Sequence, residues 1–199
     1  MGTGRLEAFS DGVLAIIITI MVLDLRVPEG ESALASLHAV WPKFVSYVLS
    51  FIYIGIYWNN HHHMLHVTRR VNGAVLWSNL HLLFWLSLVP FATAWVGENH
   101  FAPTPMALYG FVLLMAAVAY YILQLTLLSA EGPNSRLGSA LGSDFKGKIS
   151  PVAYLIAIAA ALYQAPMVAG ALYVAVALLW LVPDTRMERA VAASHERRA

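Results

Sequence analysis

The stretch that decides the fold is Arg5-Leu6-Glu7-Ala8-Phe9-Ser10-Asp11-Gly12, which runs without a break into Val13-Leu14-Ala15-Ile16-Ile17-Ile18-Thr19-Ile20-Met21-Val22-Leu23. Charged and polar side chains crowd the entrance of an apolar run whose one polar side chain is Thr19. Ionisable groups at the edge of a membrane segment are costly to desolvate, so they need partners and often mark function. Glu7 and Asp11 stand where a secretory signal would carry basic residues, and no small-residue cleavage site precedes Arg26-Val27-Pro28. The segment therefore reads as a retained membrane helix rather than a leader.

The same character extends along the chain. Of 199 residues, 59% are hydrophobic and 12% charged, whereas a soluble domain carries about a quarter charged residues to cover its surface. The expected class is all-α, a polytopic membrane protein. There is no cysteine, which excludes a disulfide framework and a thiolate metal site. Crossing ~30 Å of hydrocarbon at ~1.5 Å per residue selects six spans, at about 8–25, 40–61, 74–96, 109–128, 152–164 and 167–182. Pro42 falls near the start of the second, where proline is tolerated, and Pro90 is expected to kink the third or loosen its last turn. Ala165-Pro166 leaves room only for a tight hairpin between the last two. Residues 129–150, rich in Gly and Ser, read as a flexible cytoplasmic loop, and 183–199 as a polar cytoplasmic tail. Residues 1–199 thus read as a single six-helix domain.

The loop charges test this count. With the N-terminus inside, the inner segments hold Arg5, Arg69, Arg70, Arg136, Lys146, Lys148, Arg186, Arg189, Arg197 and Arg198, and the outer ones only Arg26 and Lys43. That bias sets both termini in the cytoplasm, and an odd number of spans would scramble it. Localisation in a cell membrane follows, with the lipid bilayer as the first partner.

Residues three and four apart share a helix face. From Asp11 and Gly12, one stripe of the first helix holds Ile16, Thr19, Ile20 and Leu23, with Phe9, Gly12 and Val13 extending it toward the charged entrance. Such a stripe serves to pack against neighbouring helices or lipid, or to wall a pathway. Hydropathy does not separate it from Ile17, Ile18 and Met21. Arg5 and Asp11, six apart, are not neighbours on one face and are expected to meet other helices. Asp11 also lies near the helix start, where the macrodipole favours an anion.

Arg5-x-x-x-Phe9-Ser10-Asp11 followed by an apolar helix resembles the signature of the transmembrane protein 175 family of potassium channels. The Trp- and His-rich end of the second span and Asn79-Leu80-x-x-Leu83-Phe84-Trp85 on the third are similar as well. The resemblance covers essentially the whole chain and is to the bacterial, single-repeat form. It implies a homotetramer in the bacterial inner membrane, with the first helix of each copy lining a central pore. It implies a constriction at Ile16, further apolar rings at Ile20 and Leu23, a hydroxyl ring at Thr19, and permeant potassium near Ile16 and Thr19. The family lacks a carbonyl filter, and no Thr-Val-Gly-Tyr-Gly segment occurs here. Modest selectivity for potassium over sodium is the expectation, and Asp24, one residue past Leu23, is placed to concentrate cations at the outer mouth.

Trp58-Asn59-Asn60-His61-His62-His63-Met64-Leu65-His66 suggests metal at first sight. A metal site needs three or four convergent ligands, and beyond this one box only His81 lies at membrane level, so no metal site is expected. The stretch is level with Arg5 and Asp11, and the resemblance implies a hydrogen-bonded network that steadies the pore helix. Arg5, Phe9, Ser10, Asp11, His61, Trp77 and Asn79 are its expected members; the Trp-x-x-His spacing points to His61 and leaves His62 and His63 as alternatives. No catalytic residues, no cofactor and no nucleic-acid partner are expected. The alternatives are a cation- or proton-coupled transporter, which calls for ionisable groups near the midplane, and a histidine-metal membrane enzyme.

Overall fold

The computed structural model describes residues 3–26, 34–68, 70–132 and 145–181. Among these the chain is all-helical: α1 (Thr3–Leu23), α2 (Leu34–Val67), α3 (Gly73–Ser87), α4 (Val89–Glu98), α5 (Pro103–Glu131), α6 (Phe145–Leu162) and α7 (Pro166–Leu181). Five runs are long and apolar enough to cross a membrane, with α3 and α4 together forming one of them and the shorter α7 following. The expected tail at 183–199 and residues 133–144 of the expected loop lie outside the described residues.

The observed helices depart from the expected spans in ways that local chemistry explains. The third span, expected as one helix over 74–96, is two. Leu88 closes α3 by donating its N–H to the Trp85 carbonyl, 3.2 Å away, and Ala92 restarts the ladder on the Leu88 carbonyl at 3.1 Å. Pro90 has no N–H for the Leu86 carbonyl, so the α-helical ladder cannot run through. Asn72 fixes the other end of α3: its side-chain oxygen accepts from the Val75 N–H at 3.0 Å. The second span runs on past 61 to Val67, and it begins at Leu34, which puts Pro42 inside the helix rather than near its start. The fourth starts at Pro103, where proline suits a first helical turn, and reaches Glu131. The fifth starts at Phe145 with Pro151 inside it, so both edges of the expected 129–150 loop are helical.

The α6–α7 hairpin is as tight as Ala165-Pro166 requires. Gln164 takes a left-handed conformation (φ 63°). The Ala165 N–H reaches the Ala160 carbonyl at 2.9 Å and the Gln164 N–H the Ala161 carbonyl at 3.1 Å, which closes the end of α6 as a Schellman motif.

α5 is the hub and packs against α3, α4, α6 and α7. Its approach to α7 depends on Gly110: a Cβ there would fall on the Tyr173 hydroxyl and stand 2.9 Å from Ile158 Cγ1. Polar links tie the hub to its neighbours. Thr93 donates to the Val89 carbonyl at 2.7 Å, so Ser50 must donate to Thr93 at 2.6 Å and Tyr109 to Ser50 at 2.9 Å. This directed chain joins α5, α2 and α4 with each hydroxyl satisfied, as buried polar groups require. Tyr53 donates to the Tyr173 carbonyl at 2.7 Å, and Tyr173 to the Met106 carbonyl at 2.9 Å. α1 lies at the side of this body and touches α2, α3 and α4.

Candidate functional site

The structure separates the two faces of α1 that hydropathy could not. Leu6, Ser10, Leu14, Ile17 and Met21 are buried against the body, Ile17 at 4% and Met21 at 2% exposure. On the other side Phe9, Gly12, Ile16, Thr19, Ile20 and Leu23 face outward, with Ile16 at 58%, Ile20 at 48% and Leu23 at 75% exposure. The outward stripe follows the expected three-and-four spacing. The Thr19 hydroxyl lies 2.9 Å from the Ala15 carbonyl and 3.0 Å from that of Ile16.

The buried face is held by hydrogen bonds at the charged end. Ser10 donates to its own helix at the Leu6 carbonyl, 2.8 Å away. That leaves its oxygen to accept, and the Asn79 amide donates to it at 3.0 Å. With its nitrogen so committed, Asn79 presents its oxygen to His61 Nε2 at 2.7 Å, and Nε2 therefore carries the proton. Three helices meet in one link, Ser10 from α1, His61 from α2 and Asn79 from α3, with all three side chains buried. His61 Nδ1 is the one fully buried side-chain nitrogen or oxygen without a partner among the described residues.

A second, more exposed clasp joins α1 to α2. Trp58 Nε1 donates to Asp11 Oδ1 at 3.0 Å, and His62 Nδ1 lies 2.8 Å from Glu7 Oε1. Glu7 and Asp11 are one turn apart, as are Trp58 and His62, and the antiparallel crossing pairs first with last. The His62 ring stacks between those of Trp58 and His66, with centroids 6.0 Å from each.

Of the expected network, Ser10, Asp11, His61 and Asn79 thus meet partners on other helices. Arg5 is exposed and bonds to none of these groups among the described residues. Phe9 belongs to the outward stripe, and Trp77 points away at 75% exposure. Trp58, Glu7 and His62 are the members that sequence reasoning did not place, and the matching one-turn spacings on two antiparallel helices are the signal that could have found them. Asp24 is exposed beyond the end of α1 and lines a small cleft with Lys43 and Glu98, which pair at 3.2 Å. Among the described residues no three His, Asp or Glu side chains converge to hold a metal ion.

The comparisons with known proteins fall on the same elements. The family model described as "Endosomal/lysosomal potassium channel TMEM175" matches residues 5–90, the segment that carries every member of both clasps. A potassium channel of Chryseobacterium sp. (strain P1-3) is 56% identical over 191 residues, covering 96% of this chain and 98% of that one. A potassium channel of Streptomyces collinus (strain DSM 40733 / Tue 365) is 38% identical over 128 residues, 61% of this chain and 62% of that one. Among solved structures, a lysosomal potassium-selective channel TMEM175 homolog from Chamaesiphon minutus superposes with a TM-score of 0.79 at 27% identity, over 92% of this chain and 97% of that one. Near-complete coverage at 56% identity, together with a shared fold and a family match on the very helices that clasp α1, means that the chain belongs to the TMEM175 family.

Proposed function

We propose that the whole chain is one subunit of a potassium channel of the bacterial inner membrane, and that four copies place α1 around a central pore. The observation that carries this reading is the division of α1: one face bonded to the body, the other an apolar stripe left uncovered by the described residues. The bacterial relatives carry potassium channel names, and the chain is not an enzyme. The seven helical segments among the described residues are too few to enclose a channel within one subunit, so conduction calls for an assembly.

In this reading Ile16 forms the narrowest ring, with Thr19, Ile20 and Leu23 beyond it. A tight apolar ring expels water and bars ions when closed. When wider it passes an ion only after part of its hydration is lost. Potassium holds water less firmly than sodium, so it crosses more readily, and the selectivity is modest. Asp24 raises the local cation concentration at the outer mouth. The Ser10–Asn79–His61 link and the Glu7 and Asp11 clasps hold α1 in register and do not touch the ion.

The test is flux in liposomes. Reconstituted protein should dissipate a potassium gradient faster than a sodium gradient, and Ile16→Asn should narrow that difference. If polar substitutions at Ile16, Ile20 and Leu23 together leave both fluxes unchanged, α1 does not wall the pore.

A further inference from the structure

Away from α1, a narrow cavity of about 40 Å³ opens between α2, α5, α6 and α7. Small-ligand sites are mostly apolar with a few placed polar groups, and this one is so narrow that it admits the end of a ligand whose bulk stays at the mouth. Its walls include Tyr57 and Asn60 of α2, Gln124 of α5, Tyr154 of α6 and Trp180 of α7. Gln124 is the telling residue. It is 5% exposed, it lines the cavity, and its carboxamide has no hydrogen-bond partner among the described residues. Its polar atoms open to the cavity rather than being sealed in, so a ligand or water there meets them. Asn60 adds a second amide: its nitrogen donates to the Ile56 carbonyl at 2.8 Å, which leaves its oxygen for the cavity.

The mouth identifies the ligand's other half. Gly147 and Ser150, in the first turns of α6, line the cavity. They lie at the end of the bundle that also carries Arg5, Arg70, Lys146 and Lys148. Lys146 Nζ stands 5.9 Å from the Trp180 ring centroid, and the Trp180 indole is fixed by donating to Ser150 Oγ at 2.8 Å. A molecule entering here passes the Lys146 ammonium beside Trp180, then meets amides and aromatic rings inside. The amides donate to and accept from hydroxyls. A cationic headgroup would be brought up against Lys146.

We propose that this cavity binds the headgroup of an anionic glycerophospholipid, its phosphate at Lys146 and its hydroxyls on Gln124 and Asn60. Basic sites between membrane helices suit such headgroups. The site lies on the α2 face turned away from the one that clasps α1: Tyr57 and Asn60 face the cavity, and Trp58, His61 and His62 face α1 and α3. Lipid occupancy therefore bears on the helix that positions α1. The binding itself does not rest on the pore reading.

The experiment is native mass spectrometry of the full chain titrated with phosphatidylglycerol, with phosphatidylcholine as the control. Phosphatidylglycerol should bind at least several-fold more tightly. Gln124→Leu and Lys146→Met should each remove most of that preference and leave phosphatidylcholine binding unchanged. Asn60→Leu serves the same purpose if Gln124→Leu fails to fold. Glycerol 3-phosphate should compete for the site better than inorganic phosphate. Equal binding of the two lipids, full retention of the preference in the variants, or equal competition by inorganic phosphate would each overturn the proposal.

Discussion

Among the five long spans α1 and α5 are the two most apolar, yet they are built into the molecule in opposite ways. α5 is enclosed by four other helices and held chiefly by close packing around Gly110, Leu113, Ala116 and Leu123. α1 buries one face only and is pinned near its N-terminus by hydrogen bonds that Ser10, Asp11 and Glu7 accept from α2 and α3. Hydropathy measures compatibility with lipid or core and does not say which of the two a helix will meet. The outward face of α1 has no partner among the described residues, so its side chains can change with little effect on the packing of the body.

That contrast can be broken first at α5. Gly110→Val places atoms where the Tyr173 hydroxyl and Ile158 already stand. Overpacking of this kind costs roughly 1–3 kcal/mol or more, and the variant should show a lowered unfolding temperature and less monodisperse protein on size exclusion. Next comes the buried attachment of α1. Asn79→Leu orphans the His61 Nε2–H and removes the donor to Ser10, a loss of about 1–2 kcal/mol for a membrane-buried link. Hydrogen exchange should rise at the start of α1 and not in α5. The more exposed clasp is worth less: Glu7→Gln should cost under ~1 kcal/mol by thermal unfolding. Smallest in stability is Ile16→Asn, which should shift unfolding by no more than ~0.5 kcal/mol. In liposomes the same change should raise sodium flux about tenfold relative to potassium, equivalent to ~1.4 kcal/mol of barrier. A large stability loss at Ile16 would mean that the outward face is structural after all.

Much of this was legible in the sequence, and the limits have physical causes. The membrane class, the number of spans and the link of Ser10 with His61 and Asn79 follow from composition and from the Arg5-Phe9-Ser10-Asp11 signature. Ile16 could not be told from Ile17, because an isoleucine is equally at home against a helix, a lipid or a pore. Only the placement of α2 and α3 decides that Ile17 is covered and Ile16 is not. Trp77 was expected among the network's members, whereas the tryptophan that bonds to Asp11 is Trp58. Both tryptophans fall near the same end of the bundle, and the choice depends on the register of two antiparallel helices. The break at Leu88 comes two residues ahead of Pro90, because proline denies a bond to the turn before it rather than the turn after. The polar run ending α2 stays helical because its side chains find partners on α1 and α3, which the run alone does not reveal.

The Thr19 hydroxyl carries one more consequence. Its single proton is directed to the carbonyls of Ala15 and Ile16, so toward anything beside α1 it presents lone pairs alone. In the proposed pore, four such oxygens would form a collar that can accept but not donate. A dehydrated cation passing Ile16 would find replacement for part of its lost water, whereas chloride, which needs donors, would find none. Charge discrimination would then need no charged side chain in the narrow part, only a hydroxyl whose proton is already in use.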